Sequence, residues 1–278
     1  MENDERLLIV LVTYKTTLEQ SSSYQTLLCH RHALTIPYQI LIYNNSPEVK
    51  MHTEDDITIF TSGKNDMLSG AYNYALEEAQ KKNFEWMMLL DQDSELTEEY
   101  LLMVNDKIQS HDSQVTAYVP SLAHNGRFIS ASVYNSEAGP FWGTKPAKSS
   151  DLKENQYITA VNSCSVIRTQ ALVSIGGFSE DFPLDYSDLW YYYQFYKKRY
   201  KIELLPIQMD HNLSILSLPD MGLERYKEYM KACARFSHKT QKSFVFYFRL
   251  RTFLRCFKFM LSPTRWEFIK PTFLALFE

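Results

Sequence analysis

Asp91 and Asp93 stand one residue apart at the end of an unbroken apolar run, Trp86-Met87-Met88-Leu89-Leu90. A short apolar run bounded by polar signals predicts a strand buried on both faces. Ligands of open α/β sheets collect just beyond the carboxyl ends of such strands. Two carboxylates at that edge suit a hard divalent cation, since Mg²⁺ takes one or two carboxylates together with substrate phosphates. The same two acids also suit a polar loop that merely closes a core strand. A second acidic pair, Asp185 and Asp188, lies three apart at the start of a predicted helix. At that spacing the two share a helical face near the positive end of the helix dipole, which favours the ionised form. A carboxylate so placed can accept a proton as general base, or it can simply cap the helix.

The elements that must position these acids are legible in order. Leu7 to Val12 is a buried strand ending at Thr13-Tyr14-Lys15. A helix is expected from Tyr24 to about Ala33, and Pro37 stops it. Tyr38 to Tyr43 is a strand ending in Asn44-Asn45-Ser46-Pro47, a turn signal. Ile57 to Phe60 is a short strand, Ser69 to Lys81 a helix, Leu96 to Ile108 a helix, and Val115 to Pro120 a strand. Ile158 to Ile167 is expected to form one strand, and Gln170 to Ile175 a short helix ended by Gly176-Gly177. This alternation predicts βαβ units and a mostly parallel sheet. Residues 124–155 are rich in Ser, Gly, Pro and Asn and predict a long connection or small hairpin insertion over the sheet edge, where function often resides.

Composition narrows the class. Of 278 residues, 45% are apolar and 22% charged, which supports a sizeable core and excludes a disordered chain. The length permits one large domain with an appendage. The four cysteines, Cys29, Cys164, Cys233 and Cys256, lack paired spacing, against a disulfide framework or a zinc site. The acidic start Met1 to Arg6 does not resemble a secretory leader, and no apolar run of about 18 residues predicts a membrane span. The net charge of −4 is uneven. From Gly222 to Glu278 there are 12 Lys/Arg against 4 Asp/Glu, a local +8, so the rest of the chain carries −12. A basic tail on an acidic body suggests an anionic partner for the tail.

Six short motifs in a fixed order then carry a resemblance. They are Val12-Thr13-Tyr14, Tyr43-Asn44-Asn45-Ser46, Asn65 through Gly70 to Asn73, Asp91-Gln92-Asp93-Ser94, Gly176 through Asp188, and Leu205 through Asp210-His211 to Leu213. In this order, over roughly residues 7 to 215, the chain resembles the family 2 glycosyltransferases of the GT-A fold. The glutamine between the two acids is similar to the bacterial rhamnosyltransferase-like branch.

The resemblance implies an α/β fold, GT-A, with a catalytic domain over 1–220 and a helical tail over 221–278. It implies a metal-dependent, inverting transfer of a sugar from a nucleotide-sugar donor. Asp93 would bind Mn²⁺ or Mg²⁺ directly, with Asp91 near the ribose and the metal's water shell. His211 would be a third metal ligand, or else a hydrogen-bonded loop histidine. Asp188 falls where the family places its base, and Asp185 is a supporting acid. Thr13 and Tyr14 would pack on base and ribose. Asn44, where the family usually has Asp, would accept the N3–H of uracil or thymine. Asn45, Asn65, Gly70, Asn73 and Gln92 complete the expected nucleotide-sugar site, and Met67 stands where the family often has Gly.

The implied donor is dTDP-L-rhamnose, with UDP-hexoses (glucose, galactose or an N-acetyl derivative) as the alternative. The implied acceptor is a saccharide or a polyprenyl-diphosphate-linked oligosaccharide, in bacterial capsule or cell-wall polysaccharide synthesis at the cytoplasmic face of the cell membrane. Two other classes compete. Nucleotidyl transfer needs a Gly-rich basic loop after the first strand, which Thr13-Tyr14-Lys15-Thr16-Thr17 is not. A non-catalytic membrane-associated scaffold would not need Asp91, Asp93, Asp188 and His211 together.

Two stretches stay ambiguous. Trp190-Tyr191-Tyr192-Tyr193-Gln194-Phe195-Tyr196 suits either an acceptor groove or a helix with a thick core face. Ser243 to Leu261 forms a helix with Arg251, Arg255 and Lys258 on one face and Phe246, Leu250, Phe253, Leu254, Phe257 and Leu261 on another. Such a helix suits an anionic membrane surface, the catalytic domain or a homodimer. No motif for nucleic-acid binding is present.

Overall fold

The computed structural model describes residues 5–52, 56–124, 126–148, 155–210 and 221–278. The chain divides into two compact units: Met1–Ala131 with Pro146–Asn212, and Ser132–Lys145 with Leu213–Glu278.

The first unit is built on one sheet. Strands β1 (Leu7–Thr13), β2 (Tyr38–Asn44), β3 (Ile57–Thr61) and β4 (Trp86–Asp91) are parallel, in the order β4-β1-β2-β3. The apolar runs become strands because every residue from Leu7 to Thr13, and from Trp86 to Leu90, is buried. Leu7, Ile9 and Leu11 pack in one cluster with Ile40, Ile42, Met88, Leu90 and the helical residues Leu27, Tyr100, Val104 and Ile108. Leu8 and Val10 alternate with them and are equally buried, so helices cover both faces, as a parallel sheet requires. Those helices are α1 (Ser22–His30), α2 (Met67–Lys81), α3 (Glu98–Gln109), α4 (Thr169–Ser174) and α5 (Ser187–Lys198).

The strand register sets the site. Thr13, Asn44 and Thr61 form one row across β1, β2 and β3, and Asp91 lies beside Val12. All four strands therefore end at the same edge.

Beyond β4 the sheet continues through β5 (Val115–His124), which bears the short antiparallel strand β6 (Arg127–Ser130). Small strands β7 (Ser132–Tyr134), β8 (Lys145–Pro146) and β9 (Tyr157–Thr159) follow in the chain. Strand β10 (Ser165–Arg168) runs antiparallel between β4 and β5, and β11 (Lys201–Asp210) is parallel to β5. The single strand expected over 158–167 is thus two. Cys164 takes a left-handed conformation at φ 63° and turns the chain into β10. Its N–H donates to the carbonyl of Leu89 at 2.8 Å, so the turn sits against the end of β4.

The second unit has two pieces. Its helices Leu223–Lys239, Lys242–Met260 and Ile269–Leu274 come from the tail. Phe141, from the Ser132–Lys145 segment, packs edge-on against Phe236, Phe244 and Phe248, with ring centroids 5.4 to 6.4 Å apart. Gly139 lies so close to the Phe244 ring that a Cβ would come within 2.5 Å of it. Among the described residues no helix is long and apolar enough to cross a membrane.

Candidate active site

The loop after β4 is held from both sides by serine hydroxyls. Ser23 Oγ, on α1, donates to the carbonyls of Asp91 and Ser94 and accepts the Ser94 N–H at 2.8 Å. Ser163 Oγ, just before the Cys164 turn, accepts the Asp91 N–H at 3.2 Å and bonds to Ser94 Oγ. Ser21 Oγ donates to the Gln92 carbonyl at 2.8 Å, and the Gln92 side chain accepts the Tyr14 N–H at 2.8 Å. The backbone of Asp91-Gln92-Asp93-Ser94 is therefore fixed before any ligand arrives, and the acids have one geometry to offer.

Sequence reasoning did not find Ser23, Ser163 or Tyr72. Tyr72, fully buried on α2, donates its hydroxyl to Asp91 Oδ1 at 3.3 Å. Burial and the Asp91 charge hold the Tyr72 hydroxyl well above its usual range, so it stays a donor.

Several acids act on one another here. Desolvation first, then the charges of Asp93 and Asp188, push the Asp91 carboxyl up to about 7. Desolvation and then the charge of Asp185 push Asp188 up to about 6. Asp91, Asp93, Asp185 and Asp188 thus belong to one electrostatic cluster, although β4 and α5 lie far apart in sequence. Asp188 sits in the first turn of α5 and accepts the N–H of Leu189 at 2.7 Å. Asp185 is not on that helix. Tyr186, at φ 67°, breaks the path between them, so the helical face predicted for the pair does not exist. Asp185 acts on Asp188 by its charge, from the loop before the helix.

The asparagines and the glycine take structural roles. Asn44, expected to meet the nucleobase, is fully buried. It donates to the Val49 carbonyl at 2.8 Å and accepts the Ser46 N–H at 2.9 Å, closing its own turn. Asn45 donates to the Met67 carbonyl and accepts the Asp66 N–H. Asn65 accepts the Met67 N–H at 2.9 Å. Met67 has φ 58°, a left-handed conformation that glycine adopts more easily. Gly70 passes so close to Asp66 that a Cβ would lie 2.7 Å from the Asp66 Cβ.

Asn73 clamps the Phe178 backbone, donating to its carbonyl and accepting its N–H, both at 2.8 Å. It thereby fastens α2 to the Gly176-Gly177 turn that leads to Asp185 and Asp188. Gly177, at φ 78°, could not carry a side chain, because a Cβ would fall 2.6 Å from Asn73 Oδ1. Asn73→Ala would strand both Phe178 groups and is expected to cost roughly 2–4 kcal/mol of stability. Chemical denaturation would show this as a lower midpoint.

Of the remaining candidates, Thr13 is buried at the end of β1 and Tyr14 is exposed beside Gln92. Tyr191, Tyr192, Tyr193 and Phe195 are buried, so the aromatic stretch of α5 is a core face, while Trp190 stays partly accessible and packs on Phe182. His211 lies outside the described residues. Among those described, no three His, Cys, Asp or Glu side chains form a metal-holding group. The donor set nevertheless fits a hard divalent ion that takes its other ligands from a substrate. Asp91 is a desolvated carboxyl opposed by two neighbouring negative charges, and a cation would relieve that repulsion.

With this geometry in hand, the family model described as glycosyl transferase family 2 matches residues 38–176, half of the chain. The chain belongs to glycosyl transferase family 2. The match covers β2 through α4, including Asp91-Gln92-Asp93. The fold is similar to several solved glycosyltransferases. TarS 1–349 of S. aureus, in complex with UDP, is 15% identical with a TM-score of 0.53, covering 93% of this chain and 73% of that one. The mannosyltransferase PcManGT of Pyrobaculum calidifontis, in complex with GDP-Man and Mn²⁺, is 12% identical with a TM-score of 0.55, covering 99% and 74%. GalNAc-T7 with UDP, GalNAc and Mn²⁺ is 13% identical with a TM-score of 0.54, covering 85% and 51%. No curated protein is a significant match to the sequence. The likeness establishes the GT-A-like fold of this family 2 member, a mostly parallel sheet flanked by helices.

Proposed function

We propose that this family 2 enzyme transfers a hexosyl group from a nucleoside-diphosphate sugar to a hydroxyl of a saccharide or polyprenyl-diphosphate-linked acceptor, with inversion. The observation that carries this reading is the cluster of Asp91, Asp93 and Asp188 at the carboxyl edge of the sheet, with Asp91 and Asp188 both raised toward neutral. In the proposed reaction the acceptor oxygen attacks the anomeric carbon, and its proton passes to the Asp188 carboxylate. The bond from the anomeric carbon to the diphosphate oxygen breaks, and the nucleoside diphosphate leaves with the electron pair. Asp188 is suited to this because a base with a pKa near the working pH is both ionised and basic enough. Asp185 raises that pKa through its charge. Asp91 and Asp93 would hold Mn²⁺ or Mg²⁺ together with the donor phosphates, and the ion would supply Lewis-acid stabilisation of the leaving group. Similar folds are known in complex with UDP or GDP-Man, two of them with Mn²⁺, which supports a nucleotide-sugar donor and a divalent ion.

The donor proposed is dTDP-L-rhamnose, on the strength of Gln92 between the acids, with a UDP-hexose as the second candidate. Calorimetric titration with dTDP-rhamnose, UDP-glucose and UDP-galactose, each in Mn²⁺, Mg²⁺ or EDTA, is the test. One donor is expected to bind in metal and to lose at least tenfold in affinity in EDTA. A folded protein that binds none of them in any metal would sink the proposal and favour a non-catalytic scaffold.

A further inference from the structure

The helix Lys242–Met260 buries Phe244, Phe248, Thr252, Cys256 and Phe259. The apolar face predicted from sequence points elsewhere. Phe253 is 62% exposed, Phe257 56% and Leu261 73%, and Phe246, Leu250 and Leu254 are exposed with them. Trp266, Phe273, Leu274 and Phe277 extend the exposed apolar set along the last 30 or so residues. Soluble surfaces seldom leave so many large apolar side chains together without a partner.

Beside this face lies a cavity of about 490 Å³ whose walls include Tyr226, Tyr229, Arg251, Arg255, Lys258 and Arg265. Leu254 belongs to both the cavity wall and the exposed face. Among the described residues that line the cavity there is no carboxylate. Among the described residues none of the four cations forms a salt bridge. Arg251 donates to the Pro140 carbonyl at 2.6 Å and Arg255 to Met230 Sδ at 3.3 Å. Converging cations with neutral partners ask for an anion, and guanidinium groups match phosphate oxygens well.

We infer that this face docks on an anionic phospholipid bilayer, with a lipid phosphate in the Arg251–Arg255–Lys258–Arg265 cavity and Phe253, Phe257 and their neighbours in the acyl boundary. Charge selects this occupant over a second copy of the chain. A two-fold contact would bring two such cationic clusters together, on a segment that already carries +8. A bilayer with anionic headgroups satisfies both parts, because cations flanking an apolar helical face lie at the interface plane. The inference does not depend on the transfer reaction proposed above.

The test is co-sedimentation of the full chain with vesicles of phosphatidylcholine alone, and with about one third phosphatidylglycerol, at low salt and at roughly 0.5 M salt. Wild type is expected on the anionic vesicles only, with release by salt. Lys258→Gln with Arg265→Gln should weaken binding roughly 20- to 30-fold. Phe253→Ser with Phe257→Ser should weaken it at least tenfold. Phe253, Phe257 and Lys258 are exposed and Arg265 is half-buried, and both variants should bind the nucleotide-sugar donor as wild type does. Wild type remaining in the supernatant with anionic vesicles would overturn the inference. So would vesicle binding unchanged in both variants. A wild-type dimer in light scattering that Phe253→Ser with Phe257→Ser dissociates, without vesicle binding, would assign the face to a second copy. Competition by inorganic phosphate without vesicle binding would assign the cavity to a soluble anion.

Discussion

Asp188→Asn is expected to lower turnover by roughly 100- to 10,000-fold while leaving donor affinity within about twofold. The asparagine keeps the Oδ1 that accepts the Leu189 N–H, so the start of α5 should hold. What is lost is the ability to take a proton. Donor binding should survive because Asp188 reaches Asp91 only through its charge. Removing that charge makes Asp91 easier to ionise, which if anything favours a cation. The wild-type pH profile should carry the same signature. Desolvation and the Asp185 charge raise Asp188 to about 6. The base works when ionised, so kcat/KM should be flat above that value and fall toward tenfold per pH unit below it. Asp185→Asn removes the opposing charge, so its acid limb should move to lower pH with most of the rate retained. If Asp185 were itself the base, Asp185→Asn would abolish turnover and Asp188→Asn would not. Turnover of Asp188→Asn within tenfold of wild type at pH 7.5 would refute the assignment.

Asp91→Asn should stabilise the metal-free protein and disable the enzyme. The folded-state pKa of Asp91, about 7, is above the ordinary 3.8, so the folded state binds the extra proton. Such a group is not penalised near pH 4, costs stability progressively as pH rises, and costs it fully above about 7. The magnitude is roughly 2–4 kcal/mol. Asparagine cannot ionise, and its oxygen can still accept the Tyr72 hydroxyl. In EDTA at pH 8 the variant should therefore melt several degrees higher, and near pH 4 the two proteins should melt together. Mn²⁺ or Mg²⁺ with donor should raise the wild-type melting temperature and barely move the variant's, with donor affinity down at least 100-fold. A variant less stable than wild type in EDTA at pH 8 would show that the strain at Asp91 is not what raises its pKa.

The polar residues of the site divide by how far away their partners are. The acids were legible because each follows a contiguous signal. Asp91 ends an apolar run, and Asp188 follows a double glycine and opens an aromatic helix. The hydrogen bonds of the asparagines were not legible, for the opposite reason. Asn44 lies in a row of strand ends facing a ligand edge, but its turn consumes both ends of its amide. Asn73 binds Phe178, 105 residues away, and no local pattern announces such a bond. The same holds for Ser23 and Ser163, which reach the Asp91 loop from about 70 residues on either side.

The tail repeats the lesson on a larger scale. Its helical periodicity was plain, yet the wheel carried two apolar arcs. The wider one, through Phe253 and Phe257, suited a membrane surface, the catalytic domain or a second subunit alike. The helix buries the other, because Phe141 arrives from the Ser132–Lys145 segment to meet Phe244 and Phe248. Sequence by itself determined the parallel strands, the edge where they end and the acids placed there, since burial period and strand termination are properties of consecutive residues. Only the tertiary structure decided which polar side chains hold the frame, which acids share a field and which face of the tail helix the chain itself leaves uncovered. Those depend on residues brought together from distant parts of the chain.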